Sequence, residues 1–414
     1  MVKTAGMKFN RYLPFAVIFF FVNSLGLPFG LTYTALLAPL FYVWILWVGK
    51  KEVLLPFIAL IAPFVIAHLV FTDVDQKAYI ISFTNLVLVY IFCQAFFTFL
   101  LRCNDPEKIF RWVLYFNFLL CLVAIALYFT PWYKVMWMEN PFTTGIDAFR
   151  RLKLFTYEAS YYATLFTPVF LFFLFRYLLK LNQIPKLLLF VMLFLPYLLS
   201  FSFGVISCVM LSLFFTWLIH FRTLTAKRRV LNSAVYFVLF TAAALLLAFV
   251  FFSENAIFIR VENVLQGQDL SGKGRTEDAF ILAKKLLEHG NKYWGIGLGQ
   301  IKIAGENVIR DYYFYPEDYS ITIPNAMAET LAIFGWIGFF LRLFIEIFFF
   351  FYTKTWRNYY RLSLFIFMFI YQFTGSFITN VAEYVIWIIA FTPAFFEFEV
   401  KGRARSENVQ VAMG

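Results

Sequence analysis

The chain has 414 residues, of which 62% are hydrophobic and 14% charged, with a formal net charge of +11 and a mean hydropathy of +0.76. Soluble domains carry about 25% charged residues, so this composition excludes a soluble enzyme and points to an all-α polytopic integral membrane protein. The basic excess does not point to nucleic acid, because its lysines and arginines cluster in short loops between apolar runs, where positive-inside sorting places them.

A span needs about 20 apolar residues. Runs of that kind fall near 12–27, 31–48, 53–71, 78–101, 109–130, 159–179, 186–201, 204–221, 230–252, 324–352, 361–378 and 381–397. The reading is one multi-span domain over 1–414, with about twelve transmembrane helices. The pairs joined at Gly26-Leu27-Pro28 and at Ser202-Phe203-Gly204 are short enough to turn tightly or to form broken helices. The first run lacks a cleavage signature and is expected to be retained.

Counting cations by side orients the chain. The side holding both termini carries Lys3, Lys8, Arg11, Lys50, Lys51, Arg102, Lys108, Arg111, Arg176 and Arg357 among others, whereas the short loops of the other side carry only Lys77. Both termini, with the tail 398–414, are therefore expected in the cytoplasm. Two long loops, 131–158 and 253–322, are then expected outside, which in a bacterial inner membrane is the periplasm. The four cysteines fall in spans or at a span end and suggest no disulfide framework.

The first long loop ends in Phe149-Arg-Arg-Leu-Lys-Leu-Phe-Thr-Tyr-Glu-Ala-Ser160 and runs into a span. Arg150, Arg151 and Lys153 lie against the charge bias on the translocated side. Anionic lipid headgroups explain them, and so does a bound pyrophosphate, whose oxygens suit the guanidinium fork. Glu158 beside them has two readings: a carboxylate at a helix N-terminus, favoured by the macrodipole with Ser160 or Thr156 capping, or a catalytic group.

The second long loop places Arg275 between Gly272 and Gly274, which let backbone approach a ligand closely. Thr276-Glu-Asp278 then starts an expected amphipathic helix through Glu288, with Ala279, Phe280, Ala283, Leu286 and Leu287 on one stripe. His289 closes it. Trp294-Gly-Ile-Gly-Leu-Gly299 is no nucleotide loop, because no strand precedes it and no βαβ unit surrounds it; a glycine turn setting the loop against the bundle is the better reading. Asp311, Glu317 and Asp318 fit a solvated acidic face, and three scattered histidines argue against a metal site. Tyr312, Tyr313 and Tyr315 are candidates to orient sugar. In the next span Asn325 and Glu329 share a helix face near the external surface, and at that depth they must face the bundle or a wet cavity. Arg342 and Glu346, deeper in that span, read as a structural pair.

Four local patterns together resemble those of the Wzy-type polysaccharide polymerases and the related O-antigen ligases. They are Arg151-Leu-Lys-Leu-Phe-Thr-Tyr-Glu-Ala-Ser-Tyr-Tyr-Ala163, Ser200-Phe-Ser-Phe-Gly204, Gly274-Arg275 with Trp294–Gly299, and Asn325…Glu329…Gly335…Gly338. The family's proline after the glutamate is Ala159 here, and the histidine that precedes asparagine in the ligases is Pro324. The resemblance implies a GT-C-like bundle and transfer of a growing glycan from undecaprenyl pyrophosphate onto an incoming lipid-linked repeat unit. It implies neither metal nor nucleotide cofactor, and leaves a chain-length regulator as a possible partner beside the membrane lipids. Expected roles are cationic stabilisation of pyrophosphate by Arg151 and Arg275 with Arg150 and Lys153, and proton abstraction by Glu158 or, second, Glu329. Asn325 and the tyrosines would hold sugar. Ligation to a lipid A-core acceptor and transport of a lipid-linked oligosaccharide are the alternatives.

Overall fold

The structure, a computed structural model, describes residues 13–25, 27, 31–49, 53–103, 105–140, 149–182, 184–221, 223, 270–288, 290–313 and 322–400. The expected span at 230–252 lies outside these residues, as do His289, Tyr315, Glu317, Asp318 and the tail from 401.

Helices dominate. α1 (Leu13–Ala16) runs on as a π-helix (Val17–Val22); α2 (Tyr33–Leu36), α3 (Ala38–Trp47), α4 (Leu55–Phe71), α5 (Gln76–Arg102) and α6 (Pro106–Leu127) follow. After a hairpin of β1 (Trp137–Asn140) and β2 (Phe149–Leu152) come α7 (Ala159–Leu178), α8 (Lys186–Ser200) and α9 (Phe203–Ile219). The last group is α10 (Leu270–Glu288), α11 (Gly305–Tyr313), α12 (Ala326–Tyr352), α13 (Tyr359–Tyr371) and α14 (Val381–Phe391). Of these, α5, α6, α7 and α12 are each long and apolar enough to cross a membrane, and six shorter apolar helices of 10–17 residues accompany them. The chain is mostly helical, compatible with a helical membrane protein.

Its phenylalanines do packing work. A large apolar core joins α5–α9, α13 and α14, with Phe92, Phe166, Phe172, Phe173, Phe367, Phe395 and Phe398 almost wholly buried. A second core lies between α10, α11 and the first half of α12, centred on Ala279, Ala283, Leu286, Leu331 and Ala332.

Three expectations need correction. The loop 131–158 holds a short antiparallel hairpin in register Glu139↔Arg150 and Met138↔Arg151, so the chain is not purely helical. The amphipathic helix starts at Leu270 rather than Thr276, which puts Gly272, Gly274 and Arg275 on a helix instead of an open loop. Glycine costs about 1 kcal/mol in a helix; at 274 it allows a close approach, since a Cβ there would lie 3.3 Å from the Tyr313 hydroxyl oxygen. Finally α13 stops at Tyr371, well short of the expected 378, and residues Gln372 to Asn380 form a loop before α14.

α12 is broken at Gly335 (φ 64°, ψ −166°). A break in an apolar helix frees backbone groups that must find partners inside the protein. The glycine turn supplies them. Ile296 N–H donates to Ala332 O (2.9 Å) and Gly297 N–H to Ile333 O (3.1 Å), while Trp336 and Ile337 N–H donate to the carbonyls of Lys292 and Tyr293 at 3.1 Å. His68, fully buried, fastens the same turn with Nε2 2.8 Å from Trp294 O and Nδ1 3.0 Å from the Tyr79 hydroxyl. The turn sets the loop against the bundle, as the sequence led us to expect.

Candidate active site

The start of α7, α10, the start of α12 and the α13–α14 connection converge on one cleft. Tyr157, Glu158, Ser160 and Tyr161 line it from the start of α7, and Arg275 from α10. Pro324 from the start of α12 and Tyr371, Gly375, Ser376, Phe377 and Asn380 from the α13–α14 connection complete the wall.

Glu158 is the N-cap residue of α7, but its carboxylate makes no capping bond. It accepts instead from the Ser160 hydroxyl and faces the cleft. The Thr156 hydroxyl, in contact with the carbonyls of Lys153 (2.7 Å) and Glu158 (2.9 Å), holds the approach to the helix. Burial pushes the Tyr157 hydroxyl well above the usual phenol range, with Tyr161 and Glu158 adding to the effect, so it stays a neutral donor at physiological pH. The Arg275 guanidinium has no hydrogen-bond or ion-pair partner among the described residues.

The basic trio does not converge on this cleft. Adjacent strand residues point to opposite faces, and Arg150 and Arg151 are adjacent on β2. Arg150 turns to the hairpin: Nε donates to Glu139 (3.2 Å), Nη1 donates to Tyr128 O (2.9 Å), and the guanidinium lies 3.7 Å from the Tyr133 ring centroid. Arg151 turns inward, 8% exposed, and donates from Nε to Ser200 O at 3.1 Å. That bond ties the first sequence pattern to the second, the Ser200–Gly204 junction. Lys153 is half-buried, and burial lowers its pKa.

Asn325 and Glu329 also lie behind the wall. Asn325 Oδ1 caps α12 at Ala328 N–H (2.9 Å), and its Nδ2 donates to Arg275 O (2.7 Å) and Phe373 O (2.6 Å). One side chain thereby joins α10, α12 and the α13–α14 loop. Ala326 and Met327 N–H donate to Gly375 O and Gln372 O, and Glu329 accepts from Ile378 N–H at 2.7 Å. The start of α12 is thus a clamp on the loop. Tyr312 and Tyr313 donate to the two carboxylate oxygens of Asp278 at 3.0 and 3.2 Å, which fastens α11 to α10.

Sequence reasoning missed the Gln372–Asn380 loop and Glu383 behind it. Glu383, fully buried, pairs with Arg342 and accepts from the Ser376 hydroxyl at 2.6 Å; Asn380 donates to the same hydroxyl at 2.8 Å. Arg342 also reaches Glu346 (3.1 Å), Gln372 (2.8 Å) and Thr330 (3.0 Å). The signal was present: an arginine and two glutamates in adjacent apolar segments require partners. Among the described residues no group of three or more His, Cys, Asp or Glu is placed to hold a metal ion.

The arrangement offers a carboxylate able to take a proton, a cation able to meet an anion, and aromatic walls between them. No protein-family model matches the chain, and no curated protein sequence matches it.

Proposed function

We propose that the chain is a membrane glycosyltransferase that polymerises undecaprenyl-pyrophosphate-linked oligosaccharide repeat units at the outer face of a bacterial inner membrane. The observation that carries this reading is the shared cleft of Glu158 and Arg275. These residues are 117 positions apart (275 − 158) in two separate hydrophilic segments, and each comes from a pattern resembling that family. The twelve-span topology with cytoplasmic termini belongs to the same proposal. It is supported by the meeting, in one cleft, of the ends of both long loops and the connection near Asn380, all of which the charge count assigns to one side.

The chemistry follows from the groups present. The acceptor hydroxyl oxygen attacks the anomeric carbon of the donor chain, and the bond from that carbon to the pyrophosphate oxygen breaks. Glu158 takes the hydroxyl proton. Arg275 meets the charge that develops on the departing pyrophosphate, in a site where a preorganised cation counts for more than in water. The lipid pyrophosphate is already an activated leaving group, so no nucleotide enters the balance. Arg151, Asn325 and Glu329 hold walls of the cleft rather than substrate. Pro324 lines the cleft at the position where the ligases carry histidine, which favours polymerase over ligase.

Reconstitution of the purified protein with a lipid-linked repeat unit tests this. Glu158→Gln is expected to lower the rate of chain extension about 10²–10⁴-fold, and Arg275→Ala about 10²-fold or more, with unchanged melting temperature. Wild-type protein that forms no glycosidic bond, or variants that extend chains at the wild-type rate, would overturn the assignment.

A further inference from the structure

The cleft carries more aromatic surface than an anion requires. Tyr157 and Phe377 enter it from two different loops, and both keep part of their ring surface exposed. Tyr161 and Tyr371 line it too but are each only 4% exposed. Tyr157 rests on Tyr161 with ring centroids 4.7 Å apart, and Tyr371 stacks on Phe367 at 5.6 Å and 10°. Tyr157 and Tyr371 are therefore each backed by another ring, which limits their freedom to rotate away.

Gly375 keeps the floor in place. A Cβ there would come within 3.0 Å of two Tyr371 ring carbons and 3.1 Å of its hydroxyl oxygen. Tyr371 lines the same cleft as both Glu158 and Arg275, which puts its ring beside the two reactive groups. A phosphate would be served by cations and N–H donors alone. A pyranose differs, since it offers a face of C–H bonds and a rim of hydroxyls. Ring faces with a few polar groups between them complement that shape.

We infer that Tyr157 and Phe377 form a sugar subsite, which holds the terminal pyranose of the acceptor with its apolar face on the rings and its attacking hydroxyl toward Glu158. The inference rests on the polymerase reading for the reaction but not for sugar binding. Tyr157, Tyr371 and Phe377 were outside every pattern singled out for sugar in the sequence, where Tyr312 and Tyr313 stood for that role and instead bind Asp278.

The test uses the full chain in proteoliposomes and, as acceptor, the lipid-free single repeat released by mild acid from the lipid-linked repeat unit, whose sugar–phosphate bond is acid-labile. With a fixed lipid-linked donor, Tyr157→Ala and Phe377→Ala are expected to raise acceptor KM about tenfold or more and to change kcat less than about threefold. Tyr157→Phe and Phe377→Tyr restore it. Acceptor KM within about twofold of wild type in both alanine variants would overturn the subsite. Saturation-transfer NMR with the same oligosaccharide separates binding from reaction. Transfer that persists in Glu158→Gln and vanishes in Tyr157→Ala supports the subsite even where no bond forms, and with no turnover it removes only the polymerase. Transfer absent from wild type, or equal in wild type and Tyr157→Ala, overturns the subsite. If Tyr157→Ala does not fold, Phe377→Leu carries the same comparison.

Discussion

Gly295 and Gly335 meet backbone to backbone: a Cβ on Gly295 would lie 2.2 Å from the Ile333 carbonyl oxygen, and one on Gly335 would lie 2.3 Å from that of Tyr293. Both residues have positive φ, 86° and 64°. No rotamer change relieves such an overlap, because the opposing atoms are main chain, and the left-handed conformation adds about 1–2 kcal/mol for any side chain. Either glycine changed to alanine is expected to cost on the order of 4 kcal/mol or more, seen as loss of monodisperse protein or a large fall in melting temperature. Gly204→Ala is the control: nothing lies within 4 Å of its added methyl, and in helix α9 it should be neutral or stabilising by up to about 1 kcal/mol.

These glycines also mark how far the sequence could be read. The motif at Trp294–Gly299 was legible as a turn against the bundle because its context excluded a nucleotide loop. Its partner was not, since Gly335 lies inside a run whose hydropathy reads as one unbroken span. Hydropathy reports burial, and a helix break satisfied by another segment leaves burial unchanged. The same blindness hid the Gln372–Asn380 loop, whose first residues passed for the end of a span yet which supplies four of the eleven residues lining the cleft. Glu158 and Arg275 were legible because each is a charge in a hydrophilic segment between apolar runs, where it stands out from its surroundings. Arg150 and Arg151 were read as one cationic patch, since the strand that sends them to opposite faces is too short to announce itself by alternation.

The Arg342 network yields an ordering. Two carboxylates, Glu346 and Glu383, share one guanidinium within apolar helices. Arg342→Met strands both acids and is expected to be the most damaging change, while Glu383→Ala leaves Glu346 paired and costs less, about 3 kcal/mol. The double variant Arg342→Met with Glu383→Ala should cost less than the two single changes summed, because it removes one of the two carboxylates that Arg342→Met alone strands. Thermal unfolding in detergent measures all of these. A double variant equal to the sum would mean that the pair is not coupled.

For the hairpin, opposite faces predict independent effects. Arg151→Ala removes a buried charged donor from Ser200 O and should cost about 2 kcal/mol. Arg150→Ala loses a half-exposed ion pair and ring contact and should cost no more than about 1 kcal/mol. The double variant is expected to be additive within about 0.5 kcal/mol. Strong non-additivity in melting or in donor KM would mean that the two arginines share a ligand, contrary to their placement on β2.

Acid and base should each loosen the hairpin through one hydrogen bond. The Tyr133 hydroxyl on the Glu139 carboxylate, aided by Arg150, holds that carboxyl below its usual range, and the same bond raises the Tyr133 phenol. A depressed carboxylate contributes stability that is present above its unfolded pKa, about 4.3, and is lost as pH falls through the folded value. A raised phenol contributes stability that is present below its unfolded pKa, about 10, and is lost as pH rises through the folded value. Amide exchange at Trp137–Asn140 and Phe149–Leu152, corrected for intrinsic rates, should therefore show protection that is flat from about pH 5 to 9 and falls on both sides. Glu139→Gln should flatten the acid limb, because no carboxyl then titrates there, and Tyr133→Phe the alkaline one. An acid limb that persists unchanged in Glu139→Gln would assign the loss to other carboxyl groups and remove this bond from the hairpin's stability.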